Sequence, residues 1–143
     1  MSRGLGDVYK RQVYTKQLKE GTAMNQKLEI IEHYFKLSDL ASSDHQALNE
    51  IINLFSNDAV VEGANGVVAD NTAKIASFFE NFFKDNQELR HLCCISPNND
   101  EYKTEWVVAG RKRNGKLFAL HGFDQYQFSQ QNKISFLKVE ISK

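Results

Sequence analysis

Apolar side chains recur at helical spacing along the first half of the chain and alternate with polar ones along the second. Leu28, Ile31, Tyr34 and Phe35 share one face of a helix predicted near residues 25–38. Ser43 and Gln46 have the spacing of a capping box, and Leu48, Ile51, Ile52 and Phe55 continue one face of a second helix that Asn57-Asp58 breaks. Ala59–Glu62 reads as a short strand, and Gly63, Asn65 and Gly66 as a loop. Ile75, Phe78, Phe79 and Phe82 then stand at i, i+3, i+4 and i+7, the apolar stripe of a third helix over about 71–84.

Four strands are predicted after it, at 88–96, 102–113, 116–128 and 133–142, with breaks at Pro97-Asn98-Asn99, Asn114-Gly115 and Gln130-Gln131-Asn132. Helices first and an antiparallel meander after define an α+β chain, a curved sheet closed on one face by helices. Asn-Gly between two alternating runs predicts a two-residue type I′ turn. Counting outward from that turn, Arg111 opposes Phe118, Ala109 opposes Leu120, Val107 opposes Gly122 and Glu105 opposes Asp124, all on one face. The other face carries Trp106, Val108 and Phe123, an apolar strip expected to cover itself by homodimerisation, the alternative being a loop or the N-terminal segment. Glu105 beside Asp124 at the end of an apolar strip places two carboxylates where both cannot ionise easily, so one is expected to keep a proton at neutral pH, or else to be hydrated at the rim.

Composition narrows the field. A length of 143 residues suits one domain, and 41% apolar residues with ten Phe suit a packed core. Formal net charge is zero, and the one basic cluster (Arg111, Lys112, Arg113, Lys116) flanks Asn114-Gly115 as a solvated hairpin tip, so no nucleic-acid partner is expected. No apolar run reaches the roughly 20 residues of a membrane helix, so no membrane partner is expected either. Cys93 and Cys94 are adjacent and point to opposite faces, which makes them poor disulfide partners, expected to be inert buried thiols in a cytoplasmic protein. Residues 1–23 differ in composition, and Asp7-Val8-Tyr9-Lys10-Arg11-Gln12 resembles a translated sequencing adapter. They are expected to be a non-native or disordered leader ahead of a single domain over 24–143. His33, His45 and His121 have no metal-ligand spacing, so neither a metal nor a cofactor is expected.

Three stretches resemble a known superfamily: Leu54–Glu62, Asn71–Ile75, and Gly122–Phe128 followed by Asn132-Lys133-Ile134. Together with the order of elements they resemble the NTF2-like cone and its SnoaL-like, ketosteroid-isomerase-like branch, over nearly all of residues 25–142. The resemblance implies an internal pocket and places Asp124 where the steroid isomerases keep a protonated Asp in an oxyanion hole. It places Tyr34 at the partner hydroxyl. The isomerase's proton-shuttling carboxylate falls at Gly63, which has no side chain, and neighbouring Glu62 alternates to the opposite face.

Two functions remain open. One is a binding domain that holds a small apolar molecule without chemistry. The other is an enzyme of the isomerase, cyclase or dehydratase type, in which Asp124 and Tyr34 stabilise an oxyanion and Glu105 or His91 moves the proton. The expected pocket lining is Phe55, Phe78, Phe82, His91, Val107, Ala109, Phe118, Leu120, Leu137 and Val139.

Overall fold

Amphipathic helices and alternating strands need one another to bury their apolar faces, and the arrangement that results is an open sheet with helices on its concave side. The computed structural model describes residues 26–99 and 101–143; the leader expected over residues 1–23 lies outside them. Among the described residues, helix α1 spans 26–40, α2 His45–Asn53 and α3 Thr72–Asp85. The strands are β1 Phe55–Glu62, β2 Val68–Ala69, β3 Asn86–Asn98, β4 Glu101–Lys112, β5 Leu117–Phe128 and β6 Ile134–Ile141, in the spatial order β2-β1-β6-β5-β4-β3. All neighbours are antiparallel except β1 and β6, which run parallel.

The helix caps follow from short polar side chains. Asn71 Oδ1 accepts the Lys74 amide at 2.8 Å and starts α3. At α2 the cap is Asp44, one residue beyond the expected Ser43, with Oδ1 taking the amides of Gln46 (2.9 Å) and Ala47 (3.4 Å). A carboxylate there also meets the positive end of the helix, which a serine hydroxyl does not match. Strand β1 begins at Phe55, four residues earlier than expected, because its parallel pairing with β6 starts there: the Ile134 amide donates to the Leu54 carbonyl at 2.8 Å. The core under the helices joins Ile31, Ile51, Ile75, Phe79, Tyr126 and Leu137, each at most 2% exposed.

The β4–β5 connection departs from expectation and decides which side chains face the core. Lys112 N–H donates to the Lys116 carbonyl and Gly115 N–H to the Lys112 carbonyl, both at 2.8 Å, so the loop holds three residues, Arg113 to Gly115. Only Gly115 has positive φ (92°), whereas a type I′ turn needs it at Asn114 as well. Arg113 is taken out of the strand by the helix ends: its guanidinium donates to the carbonyls of Ser42 (2.6 Å), Lys84 (3.1 Å) and Phe83 (3.4 Å). It therefore caps helices instead of standing free in a solvated tip. The pairing shifts by one residue, giving Trp106 opposite Gly122, Val107 opposite His121 and Thr104 opposite Asp124. A one-residue shift turns each β4 side chain to the other face relative to β5.

Candidate functional site: a pocket with Asp124 in its wall

With the shifted register, β4 buries Tyr102, Thr104, Trp106, Val108 and Gly110 and exposes the residues between them. Trp106 and Val108, expected on an outer dimer face, are 7% and 4% exposed and line the interior. Val107, Ala109 and Glu105, expected inside, point out from the convex side. Glu105 is thus no neighbour of Asp124. Its carboxylate meets Nε2 of His121 at 2.7 Å, and Nδ1 of the same ring meets the Ser142 hydroxyl at 2.6 Å.

A cavity of about 260 Å³ lies between α1, α3, the β1–β2 loop and the concave face of β3 to β6. Of the residues expected around it, Tyr34, Phe78, Phe82, His91, Leu120, Val139 and Asp124 are in its wall. Phe55 and Leu137 are core residues behind the wall, and Phe118 packs against the core beside Gly110. A larger groove of about 660 Å³ follows the outer side of α1, but Gln26, Glu29, Glu32, His33 and Lys36 make it a polar surface furrow. The smaller cavity has the apolar walls and few convergent polar groups of a small-molecule site.

Asp124 is 3% exposed. Oδ1 accepts the indole N–H of Trp106 at 2.8 Å, and Oδ2 accepts the hydroxyl of Tyr126 at 2.7 Å. Both bonds favour the carboxylate, yet burial outweighs them and pushes its pKa from 3.8 up to about 7. The expectation of a perturbed Asp124 rested on like-charge repulsion from Glu105; the cause is desolvation. Gly122 makes the Trp106 contact possible. Directly across from Trp106, it leaves the indole free to lie over β5 toward the carboxylate two residues on, and a Cβ there would run into the Trp106 ring and the Glu140 carbonyl. Trp106 and Tyr126 as partners of Asp124 escaped the sequence reading; alternation alone puts Tyr126 on the same face as Asp124, and that signal was available.

Tyr34 stands edge-on to Tyr126, with ring centroids 6.0 Å apart. Burial, then the charge of Asp124, raise its pKa well above the usual phenol value, so the hydroxyl keeps its proton. Among the described residues that hydroxyl has no hydrogen-bond partner. The position where the resemblance would put a proton-shuttling carboxylate is filled: a Cβ on Gly63 would come within 2.7 Å of the Phe78 ring and 2.9 Å of Asn65 Oδ1.

His91 is on the opposite part of the wall. Asp39, on α1, accepts its backbone N–H at 3.0 Å and meets Nδ1 at 2.7 Å. Burial lowers the imidazole pKa, against the opposing pull of Asp39. Cys93 and Cys94 are free and exposed, not buried as expected, and burial still pushes the Cys93 thiol up, away from a reactive thiolate. Among the described residues no three His, Cys, Asp or Glu side chains gather as a metal site, and no helix is long and apolar enough to cross a membrane.

No family model matches the chain, and no curated protein matches it. Solved structures do. An NTF2-like protein of unknown function from Exiguobacterium sp. 255-15 superposes with a TM-score of 0.73 at 26% identity, over 80% of this chain and 98% of that one. A protein assigned as a polyketide cyclase from Xanthomonas campestris pv. campestris gives 0.70 at 14% identity, over 84% and 93%. SalBIII, an epoxide hydrolase/cyclase-like enzyme with a role in pyran ring formation in polyether salinomycin, gives 0.70 at 15% identity, over 83% and 92%.

Proposed function

We propose that this chain, which belongs by its fold to the NTF2-like superfamily, binds a small, largely apolar molecule whose hydrogen-bond acceptor is received by Asp124 and Tyr34. The observation that carries this reading is a carboxyl group, 3% exposed, in the wall of a greasy cavity, where burial pushes its pKa up to about 7. In its neutral form it has a proton to donate to whatever fills the space, and the Tyr34 hydroxyl is a second donor in the same wall. A carbonyl oxygen satisfies such donors; a hydrocarbon leaves them unpaired, which costs about 1–3 kcal/mol for a buried polar group.

A second reading is an enzyme of the isomerase, cyclase or dehydratase type, with the same two donors facing an oxyanion. The pKa of Asp124 favours it, because a group titrating near neutrality can give and retake a proton. Gly63 disfavours the steroid-isomerase version, since Phe78 occupies the space of the base.

Trp106 is the chain's single tryptophan and lies in the cavity wall, so its fluorescence reports occupancy directly. With 1-tetralone, an apolar bicyclic ketone, saturable quenching is expected, weakening as pH rises through about 7 while Asp124 loses its donor proton. Asp124→Asn is expected to bind with affinity independent of pH. Quenching that never saturates would refute the binding reading. Turnover of a carbonyl compound by wild type, lost in Asp124→Asn at unchanged affinity, would establish the enzyme instead.

A further inference from the structure

The wall opposite Asp124 holds a polar atom with nothing to bind. His91 is anchored by a single carboxylate: Asp39 takes both its backbone N–H and its Nδ1 side, at 3.0 and 2.7 Å. A carboxylate oxygen only accepts, so the proton of the neutral ring is on Nδ1 and Nε2 is left with a bare lone pair. Asp39 is not part of the cavity wall, whereas His91 is. His91 thus stands between the cavity and an outer furrow that Asp39 borders, and its Asp39-bonded edge belongs to the furrow side. Among the described residues Nε2 has no partner, and it is not sealed from solvent.

We propose that the pocket selects a bipolar ligand: an apolar body with an acceptor at the Asp124 end and, at the far end, a hydroxyl or N–H that donates to Nε2 of His91. The proposal rests on the binding reading above and adds the ligand's second polar group. The sheet sets the spacing. Asp124 is paired with Thr104 and His91 with Val108, four residues apart along β4 and on strands to either side of it. At about 3.3 Å per residue and about 4.8 Å per strand spacing, the two backbone sites are roughly 13 Å apart along the strand and about 10 Å across it, about 16 Å in all, and side chains converging from a concave face shorten the gap to about 12 Å. Two fused rings with oxygens at opposite ends span such a gap with a hydrogen bond at each end. The walls between are Phe78, Phe82, Trp106 and Val108, which exclude a charged or flexible polar chain.

The discriminating pair of probes is 1-tetralone and 6-hydroxy-1-tetralone, which share the ketone and differ by the hydroxyl at the other end. At pH 6.5, with Trp106 fluorescence as readout, wild type is expected to prefer the hydroxyketone about tenfold, the worth of one hydrogen bond. His91→Phe is expected to bring that preference, read as the ratio of the two probes' affinities for the same variant, to within twofold. His91→Gln, whose amide keeps an acceptor, should retain part of it. Asp39→Asn should weaken it, because the ring is then free to protonate Nε2. Nitrogen-15 spectra of the His91 ring give an independent check that does not depend on any variant folding, with the proton expected on Nδ1. Binding of both probes by wild type with equal affinity, or a proton found on Nε2, overturns this inference and leaves the binding reading standing. Failure of 1-tetralone to bind at all overturns both.

Discussion

Three aromatic residues determine what Asp124 does. Trp106 and Tyr126 each give it a hydrogen bond, which pulls its pKa down, while the surrounding apolar wall pushes it up further than they pull. Tyr34 gives it no such bond and is left as a donor toward the cavity. Removing one stabilising donor should let burial dominate more completely. In Tyr126→Phe the pKa of Asp124 is expected to climb from about 7 by roughly one further unit, since a net hydrogen bond near 1–1.5 kcal/mol corresponds to about that shift. Carbon-13 titration of the Asp124 carboxyl measures it. An unchanged or lowered value would mean that the Tyr126 hydroxyl is not holding the charged form.

The elements themselves were largely written in the pattern of apolar positions. Helical spacing placed α3 to within a residue at either end, and alternation placed β3 to β6 to within two. Register was harder. Asn114-Gly115 is a strong local signal for a two-residue turn, but Arg113 has partners in Ser42, Phe83 and Lys84 that no local rule contains, and these draw it into the loop. One residue of slip exchanged the inside and outside of β4, taking Val107, Ala109 and Glu105 out of the site and bringing Trp106 and Val108 into it. Asp124 stayed inside because the slip turned β4 and not β5, where Gly122, Asp124 and Tyr126 alternate on the buried face, and His91 because its placement came from alternation within β3. The shifted register makes a prediction of its own. Gly122→Ala must displace either the Glu140 backbone or the Trp106 indole, and overpacking of this kind costs about 1–3 kcal/mol. Denaturant unfolding should show that loss, and a blue- or red-shifted Trp106 emission should accompany it as the indole leaves Asp124. A variant as stable as wild type with unaltered emission would indicate the other register.

At the level of the whole molecule, the sheet has a working side and a free side. With Trp106 and Val108 inside, the convex side still exposes Leu92 (75%) and Val107 (41%), which are cross-strand partners, with Phe123 nearby. The expected homodimer would have to use these residues, and sedimentation should then give a dimer for wild type and a monomer for Leu92→Asp; equal masses for the two would refute that interface. The working side leaves a mark on global stability that does not depend on any partner. Asp124 titrates at about 7 in the folded chain and near 3.8 unfolded, so between those values the folded state holds a proton that the unfolded state has released. Stability therefore falls as pH rises through that window and levels off above it. Three pKa units, at about 1.4 kcal/mol each, make the fall about 4 kcal/mol from this group alone. Asp124→Asn has no proton to lose and keeps an oxygen for the Trp106 indole, so relative to wild type it should be about 4 kcal/mol more stable at pH 8 than at pH 4. Unfolding curves for the two proteins at both pH values test this. The same offset at pH 4 and pH 8 would mean that the carboxyl is ionised throughout, and a permanently charged Asp124 could donate no hydrogen bond to a ligand.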